Sequence, residues 1–152
     1  MLKVELIRLE GSGGHLVRDI LKANKHIDVT SHSFPKLMGE ERSYPDVPIT
    51  DALCVGCRDT SIQIVSVEKR GYNSLTPDKF PIHESIAAIT NVVEAYIAAN
   101  KPVIFFSYET VIRYRKLYLE NIFKQLQVPY DDYDFTAINY IDGNCKYLKD
   151  KP

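Results

Sequence analysis

A glycine-rich pentad, Gly-Ser-Gly-Gly-His at residues 11–15, is the clearest chemical signal in the chain. It follows an apolar stretch at residues 4–9 and precedes a helical pattern at residues 16–21. A strand that passes through a glycine turn into a helix presents free backbone N–H groups and partial positive charge to an anion. The pentad therefore predicts a phosphate or sulfate site. Its predicted contacts are Gly11, Ser12, Gly13, Gly14 and His15.

The same residues also fit a plain strand-to-helix turn in which Ser12 caps the helix. The pentad is not a Walker loop, because His15 and Leu16 follow Gly14 where a Lys-Ser/Thr pair would stand. A second cluster, Lys69, Arg70 and Ser74, follows residues 62–67 and could supply the positive charge that the pentad lacks. Its alternative is a solvated basic pair in a turn.

The elements that must position these residues alternate along the chain. Residues 4–9, 62–67 and 103–106 are predicted to be buried strands, and residues 27–32 a weaker one. Helical spacing predicts helices around residues 16–24, 86–100 and 119–126. This alternation predicts an α/β three-layer sandwich with a mostly parallel sheet of about four to five strands. Residues 35–58 are predicted to be a long irregular loop.

The whole chain sets broad limits. Its 152 residues fit a single domain, residues 1–152. A net charge of −1 gives no general attraction to nucleic acid. Neither a membrane span nor a signal peptide is recognisable, so no membrane partner and a cytoplasmic location are expected. Three cysteines do not indicate a disulfide framework.

Three places in the chain together resemble the sulfotransferase family of P-loop-like proteins. The pentad is similar to that family's phosphosulfate loop with the Ser-Gly core kept, Gly11 standing for a basic residue and Gly14 and His15 for two threonines. Residues 66–70 occupy the place of the strand that grips the cofactor's 3′-phosphate. Residues 108–111 and 126–129 are similar to the family's Tyr-Glu motif and helix-closing motif.

The resemblance implies a sulfotransferase-like transferase whose cofactor is 3′-phosphoadenosine-5′-phosphosulfate. The loop would hold the 5′-phosphosulfate, and an unidentified small molecule would be the acceptor. In the second motif Ser74 matches the family's serine, Lys69 falls at its second basic position, and Ser66 replaces its first arginine. The family's catalytic bases often come from the region of His32, which implies His32 as the base.

Other histidines and the cysteines leave alternatives open. His15 is a second catalytic candidate or an anion ligand, and His83 and Glu84 are further candidates for acid–base work. The pair Cys54 and Cys57 forms a lone CxxC, which fits a redox pair, half a zinc site, or two reduced thiols in a loop.

Two further functions compete with a transferase. One is a nucleotide or small-molecule kinase on a related P-loop fold, disfavoured by the missing Walker lysine. The other is a non-catalytic binding or structural protein that keeps the fold. The tyrosine-rich segment at residues 130–147 is predicted to pack over the sheet, with a partner surface as its alternative.

Overall fold

The computed structural model describes residues 1–38, 41–69, 82–140 and 142–145. Its elements follow one another as β1 (Leu2–Leu9), α1 (Gly14–Lys22), β2 (Ile27–Phe34), β3 (Lys36–Met38), β4 (Glu41–Ser43), β5 (Ala52–Cys57), α2 (Thr60–Lys69), α3 (Ile82–Ala98), β6 (Val103–Ser107) and α4 (Tyr108–Gln125). Arg70 and Ser74, both predicted to contact a ligand, lie outside the described residues.

Four strands form one parallel sheet in the order β2-β1-β5-β6, and β3 pairs with β4 in a separate antiparallel ladder. In the sheet Leu9 stands opposite Phe34 on β2, and Arg8 stands opposite Gly56 on β5. The chain passes from β1 to β2 on one side and returns to β5 on the other. Such a reversal leaves a crevice beyond the carboxyl ends of the strands, where open α/β sheets bind ligands. Here that crevice lies between β1 and β5.

Two apolar clusters cover the two faces of the sheet, because successive strand residues point to opposite sides. Val4 and Leu6 of β1 pack with α1 and α4 on one face, whereas Ile7 packs with α3 on the other. Helices therefore flank both faces of a parallel sheet, and the predicted α/β class is confirmed. The aromatic segment after α4 also packs on the α1 face, where Tyr133 donates a hydrogen bond of 3.1 Å to the carbonyl of Ile20.

The predicted strands β1, β2 and β6 and the helices α1, α3 and α4 are confirmed. The predicted strand at residues 62–67 is wrong, because these residues form most of helix α2. The buried positions of α2 are Ile62, Gln63, Ser66 and Val67. Their spacing is helical, but two of the four side chains are polar, so the apolar letters alone look like a short buried strand.

The predicted loop at residues 35–58 is also wrong in part. Its last residues form β5, which lies between β1 and β6 and is buried from Ala52 to Val55. The segment Ala-Leu-Cys-Val-Gly-Cys has one β-branched residue and a glycine, so its strand propensity is weak. Pairing on both sides overrides that propensity. The short strands β3 and β4 occupy the same predicted loop.

Candidate functional site

The glycine loop, residues 10–14, connects β1 to α1 at the mouth of the crevice. Gly13 precedes α1 in a left-handed conformation with φ 73°, and no side-chain hydrogen bond caps the helix. The backbone of Gly11 is also left-handed, with φ 79°. Ser12 is therefore not the predicted cap. The first N–H groups of α1 have no side-chain partner in the described part of the chain, as an anion-binding helix N-terminus requires.

Close packing explains why glycines stand in this loop. A Cβ on Gly13 would lie 2.5 Å from the Tyr108 ring, and one on Gly14 would overlap the Arg8 side chain at Nε. On the opposite wall, a Cβ on Gly56 would come within 3.3 Å of Cβ of Arg8. Arg8 thus lies in a slot between the start of α1 and strand β5.

Arg8 is a functional candidate that the sequence patterns did not reveal. Its side chain is 12% exposed, and one guanidinium nitrogen lies 3.8 Å from a carboxylate oxygen of Glu10. Strand alternation places Arg8 on the α1 face with Val4 and Leu6. A cation at the N-terminus of a helix opposes the helix dipole, and the Glu10 carboxylate offsets part of the charge of Arg8. Its position late in an apolar strand is the one signal that could have singled it out.

Ser12 supplies a polar group that its own chain does not use. The residue is 1% exposed, and its Oγ has no hydrogen-bond partner within the described ranges. A buried hydroxyl without a partner costs about 1–3 kcal/mol of stability. A ligand oxygen that accepted a hydrogen bond from the Ser12 hydroxyl would recover that cost.

Arg58 braces the loop from the carboxyl end of β5. Its Nη1 donates to the carbonyl of Gly11 at 2.9 Å, and its Nε donates to Oδ1 of Asn144 at 2.9 Å. The guanidinium carbon lies 4.4 Å from the centre of the Tyr108 ring. The Tyr108 hydroxyl in turn accepts a hydrogen bond of 2.9 Å from the Gly143 N–H. Residues from three places in the chain therefore fix the shape of the glycine loop.

Glu109 connects the same parts from the start of α4. Its Oε1 accepts from the Asp59 N–H at 3.1 Å and from Nδ2 of Asn144 at 3.2 Å. The loops after β5 and β6 are thereby held together. The Tyr-Glu motif, predicted to end a strand, instead forms the first two residues of α4, because β6 already ends at Ser107.

A cavity of about 330 Å³ opens on the α3 side of the crevice. Its walls are mostly apolar and include Leu9, Ile89 and Phe105. Arg58 also lines it, so the cavity and the glycine loop share a wall. Gln63 lines the cavity with a residue exposure of 2%, and its Oε1 has no partner in the described part of the molecule. An apolar cavity with a few unsatisfied polar groups is a typical ligand site.

The other predicted ligand residues are placed unevenly. His15 is exposed in the first turn of α1, beside the glycine loop. Lys69 is exposed at the end of α2, two residues after Val67, whose side chain packs against Gly11. Lys69 thus stands at the end of a helix and not of the predicted strand, and its side chain does not share the helix face by which Val67 contacts the loop.

His32 is not brought to the glycine loop. It stands opposite Ile7 in the register of β1 and β2, and it shares the α3 face with Ile7 and Phe34. Its Nε2 lies 2.7 Å from Oε2 of Glu5, which is 4% exposed. This pair has no local sequence signal, because it depends on the register of β1 with β2. A group held at the start of α1 would lie on the other side of the sheet from His32.

The two cysteines of the CxxC motif cannot act together. Cys54 and Cys57 lie three residues apart on β5, so their side chains point to opposite faces. Cys54 belongs to the α1-side cluster, and Cys57 packs against the α3-side cluster. Both thiols are free. This arrangement excludes both a redox pair and a zinc site that the two thiols share. The predicted loop placement of these thiols is also wrong.

Burial raises the pKa of both thiols, and the neighbouring Cys57 adds to the shift at Cys54. At Cys57 the Glu109 carboxylate adds to the effect of burial on the pKa. Neither thiol is therefore an activated nucleophile. In the described ranges, no group of three or more His, Cys, Asp or Glu side chains could hold a metal ion.

Comparisons with protein-family models, with curated proteins and with solved structures find no match for this chain. Within the described residues, no helix has both the length and the apolar character needed to cross a bilayer. What this site binds is therefore indicated by its own geometry.

Proposed function

We propose that the chain binds a small molecule carrying a phosphate or sulfate group, with the anion at the glycine loop and the body of the molecule in the adjoining cavity. The buried, unpartnered hydroxyl of Ser12, at the uncapped start of α1, carries this proposal. Arg8 supplies the positive charge that the loop itself lacks. The position between β1 and β5 supports it, since ligands in such sheets lie at the point where the strand order reverses.

The cavity supports a ligand larger than a bare anion. Its volume of about 330 Å³ falls in the range of small-molecule sites. The unpartnered Oε1 of Gln63 favours a ligand with an N–H or O–H donor, because a buried amide oxygen without a partner is unfavourable. Its apolar walls favour a flat or hydrophobic body.

The finer proposal is a sulfotransferase-like transferase that uses 3′-phosphoadenosine-5′-phosphosulfate. The loop amides, Ser12 and Arg8 fit the 5′-phosphosulfate, whereas Lys69 alone of the three predicted 3′-phosphate contacts lies among the described residues. When bound, this cofactor supplies an activated sulfuryl group. Arg8 and the α1 amides would stabilise the negative charge left on the phosphate. His15, beside the loop, would take the acceptor's proton in place of the more distant His32.

A non-catalytic binding protein is the second candidate, and one observation favours it. The packing of Arg8 and Tyr108 against the glycines accounts for Gly13 and Gly14 without any chemistry. Sulfate transfer from the cofactor to a panel of phenols and alcohols separates the two. Binding with transfer that requires His15 supports the transferase, and binding without transfer supports the second candidate.

Binding itself is tested by calorimetry with adenosine 3′,5′-bisphosphate and with inorganic phosphate. We expect Ser12→Ala to weaken binding roughly tenfold, because a hydrogen bond to a charged group is lost. Ser31→Ala is the matched control, since Oγ of Ser31 is likewise buried without a partner in the described part but lies on β2. No binding by the wild-type chain, or equal weakening by both variants, contradicts the proposal.

A further inference from the structure

Helix α4 is interrupted in its middle. Arg115 has φ 42° and ψ −111°, so α4 consists of two helical segments that meet at this residue. A positive φ at a residue with a side chain is strained, and such strain recurs at functional sites. The residues on either side, Tyr114 and Lys116, include neither glycine nor proline that would explain the break. The second segment, residues 116–125, starts with N–H groups that an unbroken helix would have used.

A cavity of about 580 Å³ lies beside this break. It is lined by both cations at the break, Arg115 and Lys116, and by the segment that follows α4. The guanidinium carbon of Arg115 lies 5.6 Å from the ring centre of Tyr140, and Nζ of Lys116 lies 5.4 Å from that of Phe135. Contact with the aromatic faces thus holds both charges at the cavity wall.

Tyr140 contributes the group that points to a ligand. The residue is 9% exposed and lines the same cavity. Its hydroxyl oxygen is buried and has no partner among the described residues. Burial raises the pKa of this phenol, and the opposing influence of Arg115 is smaller. The hydroxyl therefore stays protonated at neutral pH and can donate a hydrogen bond.

Two carboxylates lie close by in the chain, but neither lines the cavity. Oε1 of Glu120 lies 3.8 Å from Nζ of Lys116 and offsets part of that charge. Oδ1 of Asp134 accepts from the N–H of Thr136 at 2.9 Å and from its hydroxyl at 2.6 Å. The cavity wall therefore combines apolar side chains with the guanidinium of Arg115, the ammonium of Lys116 and polar donors, and none of its described residues carries a carboxylate.

We propose that this cavity is a second anion site, which takes a phosphate-bearing small molecule independently of the glycine loop. Tyr140 donates its hydroxyl to a phosphate oxygen, and Arg115 and Lys116 balance the charge. The amide side chain of Asn139, which also lines the cavity, is a further donor. The break in α4 serves to present Arg115 and the new helix start to the same point.

The test is an NMR titration of the full chain with inorganic phosphate, following the ring signals of Tyr140 and the amide of Ser12 separately. We expect Tyr140→Phe to weaken the response at residue 140 about tenfold, because the ring stays and only the donor is lost. Arg115→Gln should weaken it by at least as much. Arg113→Gln is the matched control, since Arg113 stacks 5.4 Å from the Tyr114 ring on the same helix, and it should leave the response unchanged.

Three results overturn this proposal. The first is a residue-140 signal that does not respond to phosphate, and the second is a response that survives both Tyr140→Phe and Arg115→Gln. The third concerns Ser12→Ala. This variant distinguishes the two sites, because it should weaken only the response at the loop, roughly tenfold. A response at residue 140 that disappears with Ser12→Ala assigns all binding to the glycine loop, which overturns this site and leaves the proposed function standing.

Discussion

The glycine loop and the break in α4 share several features but differ in which residues adopt positive φ. Each places an arginine against backbone with positive φ, and each contains a buried hydroxyl, of Ser12 or Tyr140, without a partner in the described residues. The loop uses glycines for its left-handed positions, with φ 79° and 73°. The break uses Arg115 itself, with φ 42°. Glycine adopts such angles without steric cost, whereas arginine does not.

The surroundings of the two regions differ accordingly. Hydrogen bonds from Arg58 and Glu109 brace the loop and its neighbours. At the break, Arg115 and Lys116 stack on aromatic rings, and Lys116 also forms an ion pair with Glu120. The loop is therefore an unstrained, tightly packed shape, and the break is a strained one. Substitutions should consequently act in opposite directions at the two places.

The largest effect is expected for Gly13→Ala. The new methyl group would need to occupy space 2.5 Å from the Tyr108 ring, and alanine disfavours φ 73°. Tyr108 is 5% exposed and stacked against Arg58, so it cannot easily move away. We expect a loss of about 3 kcal/mol in the free energy of unfolding, measured by urea denaturation. A loss below 1 kcal/mol would show that the loop is not tightly packed (about 1 kcal/mol is the typical effect of any substitution).

The opposite sign is expected for Arg115→Gly. Glycine relieves the strained backbone, and this gain exceeds the entropy that glycine loses and the stacking lost with Tyr140. We expect the free energy of unfolding to rise by about 0.5–1 kcal/mol. Arg113→Gly, two residues away, should instead lower it by about 1 kcal/mol, because that residue is in regular helix. If both variants are destabilised equally, Arg115 is not strained and the contrast between the regions fails.

Local signals made part of this comparison predictable from sequence. The glycine pentad, flanked by an apolar run and a helical stripe, identifies β1, the loop and α1 within a few adjacent residues. The Ser-Tyr-Glu sequence at residues 107–109 marks the junction of β6 and α4. There Oγ of Ser107 accepts a hydrogen bond of 3.1 Å from the Thr110 N–H. In each case the pattern and the structure that it specifies lie in one short segment.

What sequence could not supply depends on pairing between distant segments. Arg8 gains its meaning from Gly56 across the sheet, and Glu5 meets His32 only through the register of β1 with β2. Helix α2 has the apolar letters of a strand, and its helical face becomes evident only because tertiary packing buries the polar Gln63 and Ser66. The break at Arg115 has no local sequence signal, because nothing in residues 108–125 is glycine or proline.

The smallest expected effect is a fall in the free energy of unfolding at alkaline pH, which arises beside the break and not at the glycine loop. Burial raises the pKa of Tyr140, and also that of Tyr133 on the same side of the sheet. Above pH ~10, the usual tyrosine value, the unfolded chain releases these protons before the folded chain does. The folded state then binds more protons, so the free energy of unfolding falls as pH rises through that window. Below pH ~10, the contribution of the two protonated tyrosines to stability is fully present.

Ser12 does not titrate in this range, so the two proposed anion sites should respond differently to alkali. Because burial raises the pKa of Tyr140, phosphate binding at the break should persist beyond pH ~10, the usual tyrosine value. It should decline only at the higher pH where Tyr140 loses its proton, while binding at the loop continues. Titrations that follow residues 12 and 140 across this range measure both. In Tyr140→Phe the alkaline loss of stability should be smaller, because one titrating group is gone and only the raised pKa of Tyr133 remains of the pair. If both sites lose phosphate at the same pH, a shared unfolding event explains the loss, and the hydroxyl of Tyr140 is not the donor.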